Sequence, residues 1–320
     1  MSLKRFISIV VSVALLFYLY SRIEIEKLLL VFQDCNPLWM SVSIGMLVPL
    51  VLFTSWRLQQ LMPKGTSLSF SEANRLILGS SVLNMVLPSK MGDLAKAYFM
   101  QEKDNLSGTL ALVIVIFEKA CDLLSLLLWC IFGLFFYSQQ NPLFWGLTAA
   151  ITGGFILGVA LLAWRSFADW FFLLLGKIAP GKISSKLEQM QQSWAEMHDY
   201  FWRDRQRLMV ITLTSIFIWF LHLLQIWLFI LALRAWAPLV VSLALSPLSI
   251  LAGLLPLTFA GVGTRDAALI WFYQPYMNET VGAALGLLCT SRYFLPAIVG
   301  LPFLGQMMAT VNRYKSQKTQ

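Results

Sequence analysis

Long apolar blocks, separated by short polar stretches, make up most of the chain. A membrane-spanning helix needs about 20 residues, because each residue adds about 1.5 Å and the hydrocarbon core is about 30 Å thick. Six blocks approach or exceed this length, which predicts an all-α, polytopic membrane protein with a single transmembrane domain over residues 1–320. The predicted spans are residues 6–20, 38–56, 106–137, 143–164, 208–233 and 280–308.

Two further apolar regions are interrupted by proline and glycine. Each region predicts a re-entrant helical hairpin, which enters the membrane and returns to the same side where protein or water satisfies its interrupted backbone. The interrupting residues are Pro88 and Gly92 in the first region, and Pro247, Pro256, Gly261 and Gly263 in the second. The hairpins are predicted at residues 71–103 and 238–273, and an amphipathic helix on the cytoplasmic surface at residues 182–207.

Charge is scarce and unevenly placed. Only 12% of the residues are charged, where a soluble domain has about a quarter. With the N-terminus inside, 18 of the 24 lysines and arginines fall on the cytoplasmic side, as the positive-inside rule requires. This distribution predicts a multi-pass protein of the cell inner membrane, with both termini cytoplasmic and in contact with anionic inner-leaflet lipids. Because orientation explains the net charge of +8, we expect no nucleic-acid partner.

Motifs of soluble enzymes are missing from the sequence. The four cysteines form no C-x-x-C pair and the two histidines lie far apart, so we expect neither a disulfide framework nor a metal site. No G-x-S-x-G or Walker motif is present. The sequence therefore predicts no catalytic residue, no cofactor and no enzymatic activity.

The two predicted hairpins align with each other. Leu87-Pro88 followed by Gly92-Asp93 corresponds to Leu255-Pro256 followed by Gly263, and each hairpin precedes a long span that carries charge. Broken segments at matching places in two oppositely oriented halves are typical of transporters with a binding site at the repeat interface. We therefore predict an inverted repeat, and the alternative is that both hairpins are ordinary breaks in surface helices.

The hairpin tips carry residues suited to binding an anion. Each tip begins a new helix, whose free N–H groups attract anions, especially beside a cation. Asp93 and Asp266 have two interpretations, either as ligand contacts or as first-turn acids that the helix dipole favours. The predicted substrate-binding residues are Lys90, Asp93, Lys96, Gly263, Thr264, Arg265 and Asp266.

Four charged residues lie inside otherwise apolar spans. Glu118, Lys119 and Asp122 share one predicted helix, and Arg292 lies in another. An unpaired charge at the centre of a span costs about 2.5–3.5 kcal/mol on insertion scales, so these residues need partners. Glu118 and Asp122 share a helical face from which Lys119 is turned away, so Arg292 is predicted as their counter-ion, with the tip cations or a substrate amine as alternatives. This charge network either locks the structure or takes part in moving substrate or protons.

Two uncharged polar side chains also lie in a predicted span. His222 and Gln225 are one helical turn apart in the span at residues 208–233. They either line a cavity or form a hydrogen bond between helices, and the second role is the commoner one for a lone polar pair in a span.

Three stretches of the sequence resemble the signatures of a known family. They are Leu87-Pro88-Ser89-Lys90-Met91-Gly92-Asp93-Leu94-Ala95-Lys96-Ala97, Glu118-Lys119-x-x-Asp122-Leu123 and Gly261-Val262-Gly263-Thr264-Arg265-Asp266-Ala267-Ala268. In these stretches the chain resembles the lysylphosphatidylglycerol synthase transmembrane (flippase-like) family over nearly its whole length. It departs from the family pattern at Lys119, where arginine is expected, and at Thr258-Phe259-Ala260, where a turn richer in serine and glycine is usual.

The resemblance implies that the protein moves or handles a polar or isoprenoid lipid. The aminoacyl-transferase half found in the synthases is absent from the sequence, so the resemblance does not imply synthase activity. We therefore predict a flippase-like transporter that translocates a polar, phosphate-bearing or isoprenoid membrane lipid. Two alternatives remain: a membrane-embedded enzyme that acts on lipid phosphates with Glu118 or Asp122 as base, and a non-transporting partner of a lipid-modifying or glycosyltransferase system.

Overall fold

The computed structural model describes residues 25–63, 68–86, 92–104, 106, 108–136, 142–178, 181–255 and 263–317, and over these residues the chain forms helices and turns without any strand. The prediction of an all-α protein is therefore confirmed, while the predicted span at residues 6–20 lies outside the described residues. The helices are α1 (Ile25–Gln33), α2 (Pro37–Gly45), α3 (Leu47–Leu61), α4 (Phe70–Val86), α5 (Gly92–Asp104), α6 (Gly108–Leu134), α7 (Pro142–Ala163), α8 (Arg165–Ile178), α9 (Gly181–Trp202), α10 (Arg205–Ala232), α11 (Leu239–Leu254), α12 (Thr264–Tyr273) and α13 (Glu279–Gln317).

Several helices have the length and composition of membrane spans. Within the described residues, four stretches meet both criteria: Pro37–Leu61, Phe144–Ala163, Arg205–Ala232 and Glu279–Gly305. Helix α6 has 27 residues and is also long enough, but it contains three charged residues in its middle. These five stretches match five of the six predicted spans, and they confirm a polytopic membrane protein.

The chain divides into two compact units. Unit 1 comprises Met1–Leu50, Leu126–Thr148 and Ile218–Pro296, and unit 2 comprises Val51–Ser125, Ala149–Phe217 and Ala297–Gln320. The first predicted hairpin corresponds to α4 and α5, which belong to unit 2. The second corresponds to α11 and α12, which belong to unit 1. Each unit therefore contains one pair of short helices followed by part of a long helix.

In unit 2, α5 begins in close contact with α4. A Cβ atom added at Gly92 would lie 2.5 Å from the backbone nitrogen of Asn84 and 2.7 Å from the backbone oxygen of Ser80, so only glycine allows the two helices to approach this closely. The residues that connect α4 to α5, including Pro88 and Lys90, lie outside the described part of the chain. A buried apolar cluster that includes Leu58, Leu76 and Ile114 forms the core beside this helix pair.

Helices α8 and α9 form an antiparallel pair in unit 2. Arg165 of α8 donates two hydrogen bonds to Asp199 of α9, and the rings of Phe172 and Trp194 lie in contact further along. The amphipathic helix predicted at residues 182–207 is α9, which begins at Gly181 and ends at Trp202, so its predicted C-terminal boundary was wrong. The prediction ran into α10 because the apolar spacing continues across the turn at residues 203–204.

The outer surfaces of these two helices differ in polarity. The apolar side of α9 contacts protein, where the ring of Phe201 stacks on that of Phe117 at 4.2 Å. Its described exposed residues are Glu188, Gln192 and Glu196, together with Met190. Helix α8 instead exposes a stripe of large apolar side chains. Its 14 residues extend about 21 Å, too short to cross a membrane. This segment lies between the predicted span at residues 143–164 and the helix predicted at residues 182–207, and no apolar surface helix was predicted there. The exposed α8 side chains include Trp170, Leu173, Leu174 and Ile178.

In unit 1, α11 is enclosed by protein. Nine consecutive residues, from Ser242 to Ile250, are buried, and Pro247 lies within this run without ending the helix. The predicted interruption at Pro247 was therefore wrong, because packing on all sides holds the helix together where proline removes one N–H donor. The Tyr273 hydroxyl of α12 lies 3.0 Å from Ser242 Oγ and 2.8 Å from Ser246 Oγ, which joins α11 to α12.

Small residues allow α12 to pack closely on α13. A Cβ atom added at Gly282 would lie 3.2 Å from the Cα of Ile270, and one added at Gly286 would lie 3.0 Å from the Cβ of Asp266. The two glycines are four residues apart and form a G-x-x-x-G pattern, which lets membrane helices approach closely. This contact places the first turn of α12, where Arg265 and Asp266 lie, directly against α13.

Candidate functional site

A buried arginine that directly follows the predicted span at residues 38–56 is central to unit 2. Arg57 lies in the last two turns of α3, and its side chain is only 2% exposed. Helix α3 continues past Arg57 because Leu58 and Leu61 extend its buried apolar face. This apolar spacing across Arg57 was the sequence signal that could have identified it.

Six charged side chains in unit 2 form a closed ring, which we call the charge ring. It contains Arg57, Asp93, Lys96, Glu118, Lys119 and Asp122, from helices α3, α5 and α6. Acids and bases alternate around the ring, so every carboxylate contacts two cations and every cation contacts two carboxylates. The ring has no net charge, since three acids balance three bases.

The contacts of the charge ring have the geometry of ion pairs. Arg57 Nη2 lies 3.1 Å from Glu118 Oε1, and Lys96 Nζ lies 2.9 Å from Glu118 Oε2. Lys96 Nζ is 3.1 Å from Asp93 Oδ1, whose other oxygen is 3.0 Å from Lys119 Nζ. Lys119 Nζ is also 3.4 Å from Asp122 Oδ2, and Arg57 Nη1 is 2.5 Å from Asp122 Oδ1, which closes the ring.

One side of the charge ring is buried and the other is open. The Arg57, Lys96 and Glu118 side chains are at most 2% exposed, whereas Asp122 is 23% and Lys119 is 42% exposed. Since a buried charge keeps its interaction energy while water screens an exposed one, the two sides differ in stability. Ser215 Oγ accepts a further hydrogen bond from Arg57 at 3.0 Å and supports the buried side. Lys119 is thus the part of the ring that an external group can approach.

The structure assigns different partners to the predicted network. Arg57, Lys96 and Lys119 are the counter-ions of Glu118 and Asp122, whereas sequence analysis had predicted Arg292. The guanidinium of Arg292 lies instead 2.5 Å from Nδ1 of His222, within unit 1. The prediction failed because sequence spacing shows which residues share a helix face, but not which distant helix packs against that face.

The hairpin residues of unit 2 lie within the charge ring. Lys96 directs its ammonium group at Asp93 and at both oxygens of Glu118, so its three N–H donors all have acceptors in the ring. Asp93 binds the two lysines of the ring as described above. Lys90, the remaining predicted ligand of this hairpin, lies outside the described residues.

The predicted ligands of the second hairpin form a cluster in unit 1. The Arg265 side chain is 4% exposed, and its Nη2 donates a hydrogen bond to Asp266 Oδ1 at 2.7 Å. The same nitrogen lies 2.5 Å from Thr290 Oγ1 and 3.2 Å from the Gly286 carbonyl oxygen, both in α13. These contacts fix the first turn of α12 on α13. The positive charge of Arg265 is therefore directed at α13 and balanced by Asp266.

Helix α12 is capped by a glycine. Thr264 is its first helical residue and Gly263 is the N-cap, with φ of 100°, a conformation that favours glycine. The Gly263 N–H donates at 3.0 Å to Asp266 Oδ2. The tight turn requires glycine at the cap position, and Thr264 follows it as the first helical residue. A carboxylate of the protein itself thus occupies this helix N-terminus.

Of the two uncharged polar residues, Gln225 forms the expected bond to another helix. Gln225 Nε2 donates at 2.8 Å to the backbone carbonyl of Ser43 in α2. His222 Nδ1 accepts from Arg292 of α13, as described above, and its ring contacts that of Trp219. Both residues therefore connect α10 to neighbouring helices of unit 1.

The fold and these intramembrane charges define an all-α polytopic membrane protein. The family model described as lysylphosphatidylglycerol synthase TM region matches residues 5–300, and the chain belongs to this family. The chain is also similar to a UPF0104 membrane protein of Methanocaldococcus jannaschii, with 22% identity over 316 residues that cover 93% of each chain. The family resemblance found in the sequence motifs is therefore confirmed.

Proposed function

We propose that the protein is a flippase-like transporter that moves a polar, phosphate-bearing or isoprenoid lipid across the cell inner membrane. The charge ring is the observation that carries this proposal. A lipid crosses a bilayer only when its headgroup finds a polar route through the hydrocarbon region, and ionisable groups inside spans commonly mark such routes. The family name supports a lipid substrate, since it refers to the membrane region of a phospholipid-modifying synthase.

The exposure gradient of the charge ring suggests how a headgroup interacts with it. Lys119 is 42% exposed and contacts Asp93 and Asp122, so an anionic headgroup can compete with these carboxylates for its ammonium group. The buried side, with Arg57 and Glu118, stays intact during this exchange and holds the ring in place. Because the ring is neutral, the headgroup meets both signs of charge within a few ångströms.

A transport assay with reconstituted protein tests this proposal. Full-length protein is placed in vesicles containing a trace of phosphatidylglycerol with a fluorescent acyl chain, and quencher added outside reports the labelled lipid that reaches the outer leaflet. We expect Lys119→Gln to slow translocation by about tenfold, the effect of losing one charged hydrogen bond. Lys177→Gln is the matched control, since Lys177 is exposed on α8 and outside the charge ring. Equal rates for the two variants would refute a role for the ring in transport.

The same vesicles distinguish the two other functions. Mass spectrometry of the extracted lipids detects any change in lipid structure, which the enzymatic alternative requires and translocation does not. In the enzymatic alternative Glu118 or Asp122 acts as base. Both oxygens of Glu118 already accept hydrogen bonds from Arg57 and Lys96, and those of Asp122 accept from Arg57 and Lys119. Translocation by the purified protein alone would exclude the alternative of a non-transporting partner.

A further inference from the structure

Cations inside the described helices differ in whether a carboxylate contacts them. The three bases of the charge ring contact acids, and Arg265 contacts Asp266. Arg292 is partly exposed, and its recorded side-chain hydrogen bonds are to His222 and to the Cys289 thiol. Among the residues that the structure describes, no carboxylate lies within salt-bridge distance of it. Within this part of the chain, Arg292 is therefore a positive charge in an apolar helix that no acid contacts.

Two features keep the positive charge of Arg292 fully available. His222 accepts the hydrogen bond through Nδ1, so this nitrogen carries no proton and the imidazole contributes no opposing charge. The Nε atom of Arg292 is buried and has no hydrogen-bond partner in the structure. A buried N–H without an acceptor is rare and costs free energy, which an anionic oxygen would recover.

Arg292 lies well inside a long apolar helix. It follows Glu279, the first residue of α13, by 13 residues, or about 20 Å at about 1.5 Å per residue, and the helix continues to Gln317. Long basic side chains near the ends of a span extend to the membrane surface, and Arg292 is far from both ends of its helix.

A second polar atom without a partner lies on the helix that carries His222. Gln225 is 3% exposed, and its Oε1 is buried without a hydrogen-bond partner while its Nε2 binds the Ser43 carbonyl. Gln225 follows His222 by three residues, which places it about 4.5 Å further along α10. Among the described residues, unit 1 therefore contains an unpaired donor on Arg292 and an unpaired acceptor on Gln225.

We infer that Arg292 is an anion-binding residue that takes a phosphate oxygen of a lipid headgroup, at a site distinct from the charge ring. This inference deepens the proposed function and rests on it for the identity of the ligand as a lipid. The chemistry of the site is recognition of a phosphate oxygen by a guanidinium in a water-poor environment, where charge-assisted hydrogen bonds are strong. A free phosphate ion offers the same oxygens, so the test separates the two sources.

Native mass spectrometry of the full-length protein in detergent tests the inference. Dioleoylphosphatidylglycerol and dioleoylphosphatidylcholine are titrated separately, and bound lipid is counted. We expect Arg292→Gln to weaken phosphatidylglycerol binding by at least about tenfold, and Arg292→Lys to retain more of it, since the charge is kept. Arg165→Gln is the matched control, because Arg165 is half exposed and lies on the surface helix α8. Unchanged binding in Arg292→Gln would overturn the site.

Two further measurements keep the inference testable if Arg292→Gln does not fold. A photoactivatable phosphatidylglycerol added to the wild-type protein is expected to cross-link to the peptide that contains Arg292, whereas cross-links confined to other peptides would contradict the site. Inorganic phosphate is added as a competitor at the same concentration as the lipid. If it displaces phosphatidylglycerol equally well, the ligand is a free anion and the lipid assignment is wrong.

Because binding is measured without transport, its outcome is separate from that of the translocation assay. Suppose that the wild-type protein translocates lipid, and that Arg292→Gln binds lipid as well as the control variant Arg165→Gln. This result would refute the Arg292 site and leave the proposed function standing. Lipid binding that depends on Arg292 but is not accompanied by translocation would refute the proposed function and leave the site.

Discussion

The two lysines of the charge ring provide a test of whether burial controls its stability. Lys96 and Lys119 each contact two carboxylates and share Asp93 as a partner. Replacing either one with methionine removes the same charge and keeps a side chain of similar length. The two positions differ mainly in exposure, which is 2% at Lys96 and 42% at Lys119.

The expected magnitudes follow from this difference in exposure. Removing one partner of a buried ion pair costs about 3–5 kcal/mol because the remaining charge is buried without compensation. We expect this loss in Lys96→Met, where Glu118 keeps only Arg57. An exposed pair contributes about 0–1 kcal/mol after screening by solvent, so Lys119→Met should lose about 1 kcal/mol or less. Lys177→Met, on the surface of α8, should change the free energy of unfolding by less than about 0.5 kcal/mol.

Equilibrium unfolding in mixed detergent micelles measures these free energies. The double variant Lys96→Met with Glu118→Gln removes both partners of one pair and leaves two acids and two bases in the ring. Its loss of stability should be smaller than the sum of the two single losses by about 1–3 kcal/mol, because the Lys96–Glu118 contact is lost once in the double variant but is counted in both single losses. Equal destabilisation by the two lysine variants, or strict additivity in the double variant, would refute the ring as a cooperative ion-pair network.

Two other predictions concern packing and the membrane surface. Gly92→Ala should destabilise the protein by about 1–3 kcal/mol in the same unfolding assay, since its Cβ would lie 2.5 Å from the backbone nitrogen of Asn84. Gly153→Ala is the control, because a Cβ atom there meets open space. It should be neutral or stabilising by up to about 1 kcal/mol. Cysteine labelling tests the membrane surface in a variant whose Cys35, which is not buried, is replaced by serine. A membrane-impermeant maleimide should label Gln192→Cys on α9 at least about tenfold faster than Leu173→Cys on α8. The reason is that we expect the exposed apolar stripe of α8 to lie in lipid. Similar labelling rates would place both surfaces in water.

The membrane class and the helix pairs were predictable because both depend on local properties of the chain. The length of an apolar block determines whether it can cross the membrane, and this gave the four long spans and α6. The predicted interruption at Gly92 coincides with the start of α5, where close contact with α4 excludes any other residue. Pro247 was misjudged because its effect on a helix depends on what surrounds it, and here buried packing on all sides keeps α11 continuous.

The partners in the charge ring were less predictable because they come from distant parts of the chain. Arg57 and Glu118 are 61 residues apart, and Arg57 follows a span that appeared to end before it. The predicted acids do lie in one network with Asp93 and Lys96. The packing of α3 on α6 could not be predicted from the sequence, because Arg57 belongs to no recognisable motif. Only the apolar spacing of Leu58 and Leu61 indicates that Arg57 is buried.

The first turns of α5 and α12 have a common arrangement within their own units. Each contains an acid and a base that contact each other, Asp93 with Lys96 and Asp266 with Arg265. Each base also contacts the long helix that follows in sequence, through Glu118 in one case and Thr290 in the other. This correspondence favours the predicted repeat, and the inverted orientation of the two halves remains a prediction for experiment.

The most direct test of the central claim is the movement of lipid by the wild-type protein. Vesicles reconstituted with the purified chain and protein-free vesicles receive the same acyl-labelled phosphatidylglycerol, and an impermeant quencher is added outside. If the protein translocates lipid, labelled lipid from the inner leaflet will reach the outer leaflet and be quenched there, so nearly all of the fluorescence will be lost. If quenching stops at the outer-leaflet fraction, as in protein-free vesicles, the protein does not translocate this lipid and the account is contradicted.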